Sequence, residues 1–118
     1  MTVVAGVKAL SVDGVDYTPG SSAKYDGSDI EVESLIGGAG RIGRAEKAAA
    51  PYIEVDIHLN EGQSSQIIKA TRDATVELRL ADRTVVLTGA DYVARGEIDG
   101  TTMGMTARFE GRKLDEVF

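Results

Sequence analysis

The sequence predicts a mainly β protein, an antiparallel β-sandwich or partly open barrel with one short flanking α-helix. Three observations predict it. In Pro51-Tyr52-Ile53-Glu54-Val55-Asp56-Ile57-His58-Leu59, apolar Ile53, Val55, Ile57 and Leu59 alternate with polar or amphipathic Tyr52, Glu54, Asp56 and His58. Strict period two marks a strand with one buried and one wet face. Turn-forming residues recur between short β-prone runs, and Gly is frequent, at 14 of 118 residues. Only one stretch, 64–71, reads as helical. Strands with one apolar and one polar face build antiparallel sandwiches or barrels.

Taken in order, 7–12 reads as a strand, and Asp13-Gly14 before Val15-Asp16-Tyr17 is a hairpin signal. The stretch 18–22, Thr-Pro-Gly-Ser-Ser, reads as a turn or exposed loop. In 29–35, Ile30 and Val32 alternate with Glu31 and Glu33, which predicts a strand with an acidic outer face. The pattern breaks over 36–50. Four glycines raise the ordering cost, and Arg41, Arg44 and Lys47 make the stretch basic in an acidic chain. It is expected to be a long flexible loop, with helix-prone residues at 45–50; loops of this length are usually functional or disordered.

Pro51 then precedes the central strand where it removes no ladder bond. Ser64 is placed to cap a short helix with Ile67 and Ile68 inward, too short to stand without packing. Alternation resumes over 75–81, and Asp82-Arg83 connects it tightly to 84–88. Extended chain continues over 90–94. A turn at 96–100 leads to the last strand, 101–110, with Met103, Met105, Ala107 and Phe109 inward as core filler. The remaining 112–118 read as a tail of mixed charge. No internal repeat or linker divides the chain, so 1–118 is read as one domain.

Composition excludes several functions. The net charge of −6 and pI of about 4.7 argue against a broad basic face for nucleic acid. No cysteine is present, so disulfides and thiolate metal sites are excluded and a reducing compartment is the easier reading. The first eight residues lack the basic and apolar regions of a signal peptide. No run approaches the ~20 apolar residues of a membrane span.

Candidate chemistry is sparse. Gly38-Ala39-Gly40-Arg41-Ile42-Gly43 matches G-x-G-x-x-G, yet only eight residues separate Gly43 from Tyr52. A crossover helix and its return need a dozen or more, so the dinucleotide reading fails on length. Glu54 and Asp56 project from one strand face about 7 Å apart. They have the chemistry of an acid–base pair or of hard-cation ligands, but a solvated strand face is the reading preferred for them. His58 is the one histidine, and without cysteine it makes no typical zinc site. No enzyme, metal site or cofactor is therefore expected. Asp26, Asp29, Glu31, Glu33, Glu54 and Asp56 lie on two runs flanking the basic stretch. If those runs pair, like charges share one wet face at a cost in stability, which calls for a reason.

The order of these pieces resembles the tail tube proteins of Mu-like contractile-tailed phages over about 5–111. The residues that carry the resemblance are Val7-Lys8-Ala9-Leu10-Ser11-Val12-Asp13-Gly14 with Tyr17, and Ala50-Pro51-Tyr52-Ile53-Glu54 closing the Gly-rich stretch. Thr71-Arg72-Asp73-Ala74-Thr75-Val76-Glu77-Leu78 follows the helix. Leu80-Ala81-Asp82-Arg83-Thr84-Val85-Val86-Leu87 and Met105-Thr106-Ala107-Arg108-Phe109-Glu110-Gly111 complete the set. Asp82-Arg83 departs from an Asn-Gly-like turn, which affects turn type more than function. The resemblance implies a β-sandwich or barrel protomer, hexameric rings stacked into a hollow tube, and no catalysis. It implies a virion tail component made in the host bacterial cytoplasm, with the subunit itself, a sheath protein, a tape measure protein and passing DNA as partners, and no membrane. Related tubes occur in pyocin-like particles and type VI secretion. On this reading Glu31, Glu33, Glu54 and Asp56 line the lumen, and Arg41, Ile42, Arg44 and Lys47 contact a neighbouring subunit or ring. The alternative is a monomeric barrel binding a small ligand in its interior.

Overall fold

The computed structural model describes residues 6–118 apart from Asp29 and Ala39; the side chains at 21, 30–33, 35, 41, 42, 46 and 47 also lie outside the description. Nine strands and one short helix are formed among the described residues: β1 (Val7–Val12), β2 (Val15–Asp26), β3 (Ile30–Gly37), β4 (Gly40–Ala48), β5 (Tyr52–His58), α1 (Ser65–Lys69), β6 (Ala74–Leu80), β7 (Thr84–Tyr92), β8 (Gly104–Glu110) and β9 (Lys113–Val117). The sheet runs β6-β1-β2-β5-β8-β7-β9, and β6 also pairs with β7. Six strands thus close on themselves as an antiparallel barrel, with β9 added outside the closure. Of the two expected architectures, a sandwich or a partly open barrel, the barrel is formed, and it is closed rather than partly open because β6 pairs with β7.

Alternation decides which side chains fill it. Ile53, Val55 and Ile57 from β5 meet Met105, Ala107 and Phe109 from β8 and Val76, Leu78, Val85 and Leu87 from β6 and β7, all buried. Phe109 stands edge-on to Tyr92, with ring centroids 5.6 Å apart. These side chains occupy the interior that a small ligand would need. Asp13 (φ 52°) and Gly14 (φ 85°) are both left-handed, as a two-residue hairpin turn requires. The Ser64 hydroxyl accepts from the Gln66 amide and caps α1, as expected. Of the two isoleucines expected inward, only Ile68 is buried; Ile67 is 66% exposed, because a single helical turn offers the core one position. Met103, also expected inward, is exposed at φ 55°, since the chain turns there before β8 begins.

Two stretches differ from expectation more deeply. The expected exposed loop at 18–22 lies within β2, where a bulge between Pro19 and Ala23 sets four steps of β2 against two of β5. Gly20 fits there because a Cβ would lie 3.2 Å from the Asp56 Cβ and carbonyl oxygen. The expected flexible loop with helix-prone residues at 36–50 contains β4, which pairs with β3 from Ile30↔Ala48 to Gly37↔Gly40. Among the described residues this hairpin is a separate two-stranded sheet, sharing no strand ladder with the barrel. The molecule measures 59 × 39 × 28 Å with a radius of gyration of 16.8 Å, against about 13.5 Å for a compact chain of this length. The literal G-x-G-x-x-G run spans its tip, and no helix follows.

The presumed tail forms β9. Asp91 lies opposite Glu110, and Thr88 opposite Lys113, three steps along each strand, so one register runs from β8 through β9 along β7. β8 and β9 are one strand bent at Gly111, its first part in the layer with β2 and β5, its second in the layer with β1 and β6. β7 itself carries an extra residue at Gly89 (φ 66°), which switches its inward positions from Val85 and Leu87 to Ala90 and Tyr92.

Candidate functional site

The outer face of β2, β5 and β8 carries Asp26, Glu54, Asp56 and His58 of the polar residues singled out above. Because β5 is central, its outward positions meet partners on both sides. Lys24 lies opposite Glu54, and Glu54 opposite Arg108; Asp26 lies opposite Tyr52, and Tyr52 opposite Glu110; Asp56 lies opposite Thr106. Arg108 organises the middle. Its guanidinium sits 4.0 Å from the Tyr52 ring centroid, 3.0 Å from Glu54 Oε2 and 3.3 Å from Glu110 Oε1. Thr106 donates its hydroxyl to Asp56 Oδ1 at 2.7 Å. His58 donates from Nδ1 to the Thr102 carbonyl at 3.3 Å. The Ser28 amide donates to Asp26 at 2.8 Å and holds its carboxyl below the usual range.

Glu54 and Asp56 thus stand on the wet side of β5, as alternation predicts, Glu54 half-buried and Asp56 exposed. Each already has a hydrogen-bonding partner. Four carboxylates, Asp26, Glu54, Asp56 and Glu110, stand against two cations, Lys24 and Arg108, so the face is acidic but mixed. The pairing of the two acidic runs does not form: β5 pairs with β2 and β8, and β3 pairs with β4 alone. Glu31 and Glu33 lie on β3 with their Cα atoms opposite Lys47 and Ala45; their side chains fall outside the described ones. Arg44 lies exposed on β4 opposite Ser34. Arg41, Ile42 and Lys47 are on the same strand, their side chains likewise outside the description. The structure therefore brings Glu54 and Asp56 together on the barrel and gathers the other named positions on the hairpin.

Sequence reasoning placed Arg108 on the wet side of its strand but missed its role. That role depends on a register between strands 54 residues apart, which no local pattern shows. Among the described residues no group of three or more His, Asp or Glu is arranged to hold a metal ion. What the face can do is present a fixed, hydrated mosaic of charge on a rigid sheet.

The phage tail tube protein family matches residues 1–116. The chain belongs to that family. A tail tube subunit is a structural protein of the virion tail, not an enzyme, and the closed barrel fits that role. The fold is similar to that in a structure of Hcp1 from Flavobacterium johnsoniae, with a TM-score of 0.57 and 16% identity, covering 92% of each chain. No curated protein sequence matches this tail tube subunit.

Proposed function

We propose that copies of this subunit close into hexameric rings that stack into a hollow tube within a contractile sheath. Through it pass first the tape measure protein and then DNA. The subunit is made in the host bacterial cytoplasm and incorporated into the tail. The observation that carries this reading is the β3–β4 hairpin, eight residues paired with nine and, among the described residues, sharing no ladder with the barrel. A lone two-stranded hairpin is marginal in water, and this one is rich in Gly and Ala. On this reading a neighbouring copy packs against the hairpin, with Arg41, Ile42, Arg44 and Lys47 as contact residues. A head-to-tail contact of this kind does not close on itself and so propagates a filament.

The lumen is assigned to the outer face of β2, β5 and β8, with Glu54 and Asp56, and to Glu31 and Glu33 where the hairpin extends it. An acidic wall repels phosphates and lets DNA slide. Negative-stain images of the purified chain at high concentration test the assembly: rings or tubes support it, and a monomer throughout overturns it. Asp56→Lys tests the lumen, with tubes expected to form while DNA passage slows. Failure to assemble would place Asp56 at a subunit contact instead.

A further inference from the structure

β9 adds no residue to the buried core, and the barrel closes through β6 and β7 without it. It nonetheless covers the edge of β7 from Thr84 to Thr88, which is otherwise open to pairing with any extended chain. Its side-chain contacts fall on alternate residues, Leu114, Glu116 and the largely exposed Phe118, the spacing of one strand face. Leu114 lies opposite Leu87, and its Cδ2 is 3.2 Å from where a Cβ on Gly27 would stand. Glu116 accepts from the Tyr25 hydroxyl at 2.7 Å and from Arg83 Nη1 at 2.6 Å. Arg83 is held in turn by Asp82 at 2.8 Å and lies 4.5 Å from the Phe118 ring centroid. Backbone edge, small-residue slot, carboxylate clasp and cationic face for an aromatic ring together have the parts of a peptide-binding site that works by strand addition.

The geometry points to such a site: the β7 edge with Gly27, Tyr25 and Arg83 is a receptor for an extended segment of pattern Leu-x-Glu-x-Phe. The chain's own C-terminal strand fills it at rest as an exchangeable guard. This does not depend on ring formation. A short strand held by one ladder and exposed side chains opens separately from the core.

Hydrogen exchange on the full chain tests the first part. Amides of β9 and the β9-facing amides of β7 are expected to exchange as one unit, ahead of those of β5. Arg83→Ala is expected to speed that unit by about tenfold and leave β5 unchanged. A labelled hexapeptide of residues 113–118 tests the second part, against the wild-type chain and a full-length Glu116→Gln/Phe118→Ala variant, which loosens its own strand but keeps the receptor. The peptide is expected to bind the variant about tenfold more tightly than the wild type, and adding Arg83→Ala to the variant is expected to abolish that binding. Exchange of β9 together with the core, or no peptide binding to the loosened variant, overturns the proposal.

Discussion

Replacing Gly111 with alanine tests the bend that joins β8 to β9. The added Cβ would lie 2.8 Å from Leu87 Cγ and Cδ1 and 2.8 Å from the Thr88 carbonyl oxygen. Gly111 is not at a positive φ, so the cost is steric rather than conformational. The Leu87 contact can relax by a rotamer change, but Leu87 is fully buried and has little room. The carbonyl is fixed, since it accepts the Arg112 amide at 2.9 Å. Overpacking of this kind costs about 1–3 kcal/mol, or a drop of roughly 4–12 °C in melting temperature for a domain this size. Urea denaturation of Gly111→Ala, Leu87→Ala and the double variant separates the contacts. Leu87→Ala alone costs about 2–5 kcal/mol. A double variant less destabilised than the sum of the two shows that the overlap is with Leu87, whereas simple additivity assigns it to the backbone. Gly111→Ala within about 0.5 kcal/mol of the parent would refute the steric account.

Two further predictions follow from burial. Ile68→Ala is expected to cost about 2–5 kcal/mol, because Ile68 is the one buried residue of α1, while exposed Ile67→Lys stays within about 0.5 kcal/mol; chemical denaturation checks both. Tyr92 has its hydroxyl buried without a hydrogen-bond partner, and burial raises its pKa above 10.0. The folded state therefore binds that proton more tightly than the unfolded state. The resulting stability is present below about pH 10 and is lost as pH rises through the folded-state value. Tyr92→Phe is expected to be neutral or stabilising by about 1 kcal/mol at neutral pH and to flatten the loss of stability at alkaline pH, read from melting temperatures across that range.

The parts of the fold legible in the sequence are those where one face of a strand meets the core. Ile53, Val55 and Ile57 announce β5 and its wet side because burial selects every second residue. Asp13-Gly14 and Ser64 announce a turn and a cap because each satisfies a specific backbone demand. β4 was hidden because Gly-Arg-Ile-Gly-Arg-Ala-Glu-Lys-Ala shows no alternation, and pairing with β3 overrides weak β propensity. β9 was hidden for the same reason, with Leu114 as its single partly buried anchor. On β7 the extra residue at Gly89 breaks the period in mid-strand. The candidate site was half visible: the wet face of β5 was, but the ion pairs Arg108 makes with Glu54 and Glu110 were not, since the cross-strand register is a property of the closed barrel.

The strand bent at Gly111 has a mechanical consequence. Its two halves are bonded in one register to the same neighbour while belonging to opposite walls. While β9 is seated, sliding one wall past the other must break that shared ladder at its corner, so a load on one wall passes to the other; release of β9 removes that tie.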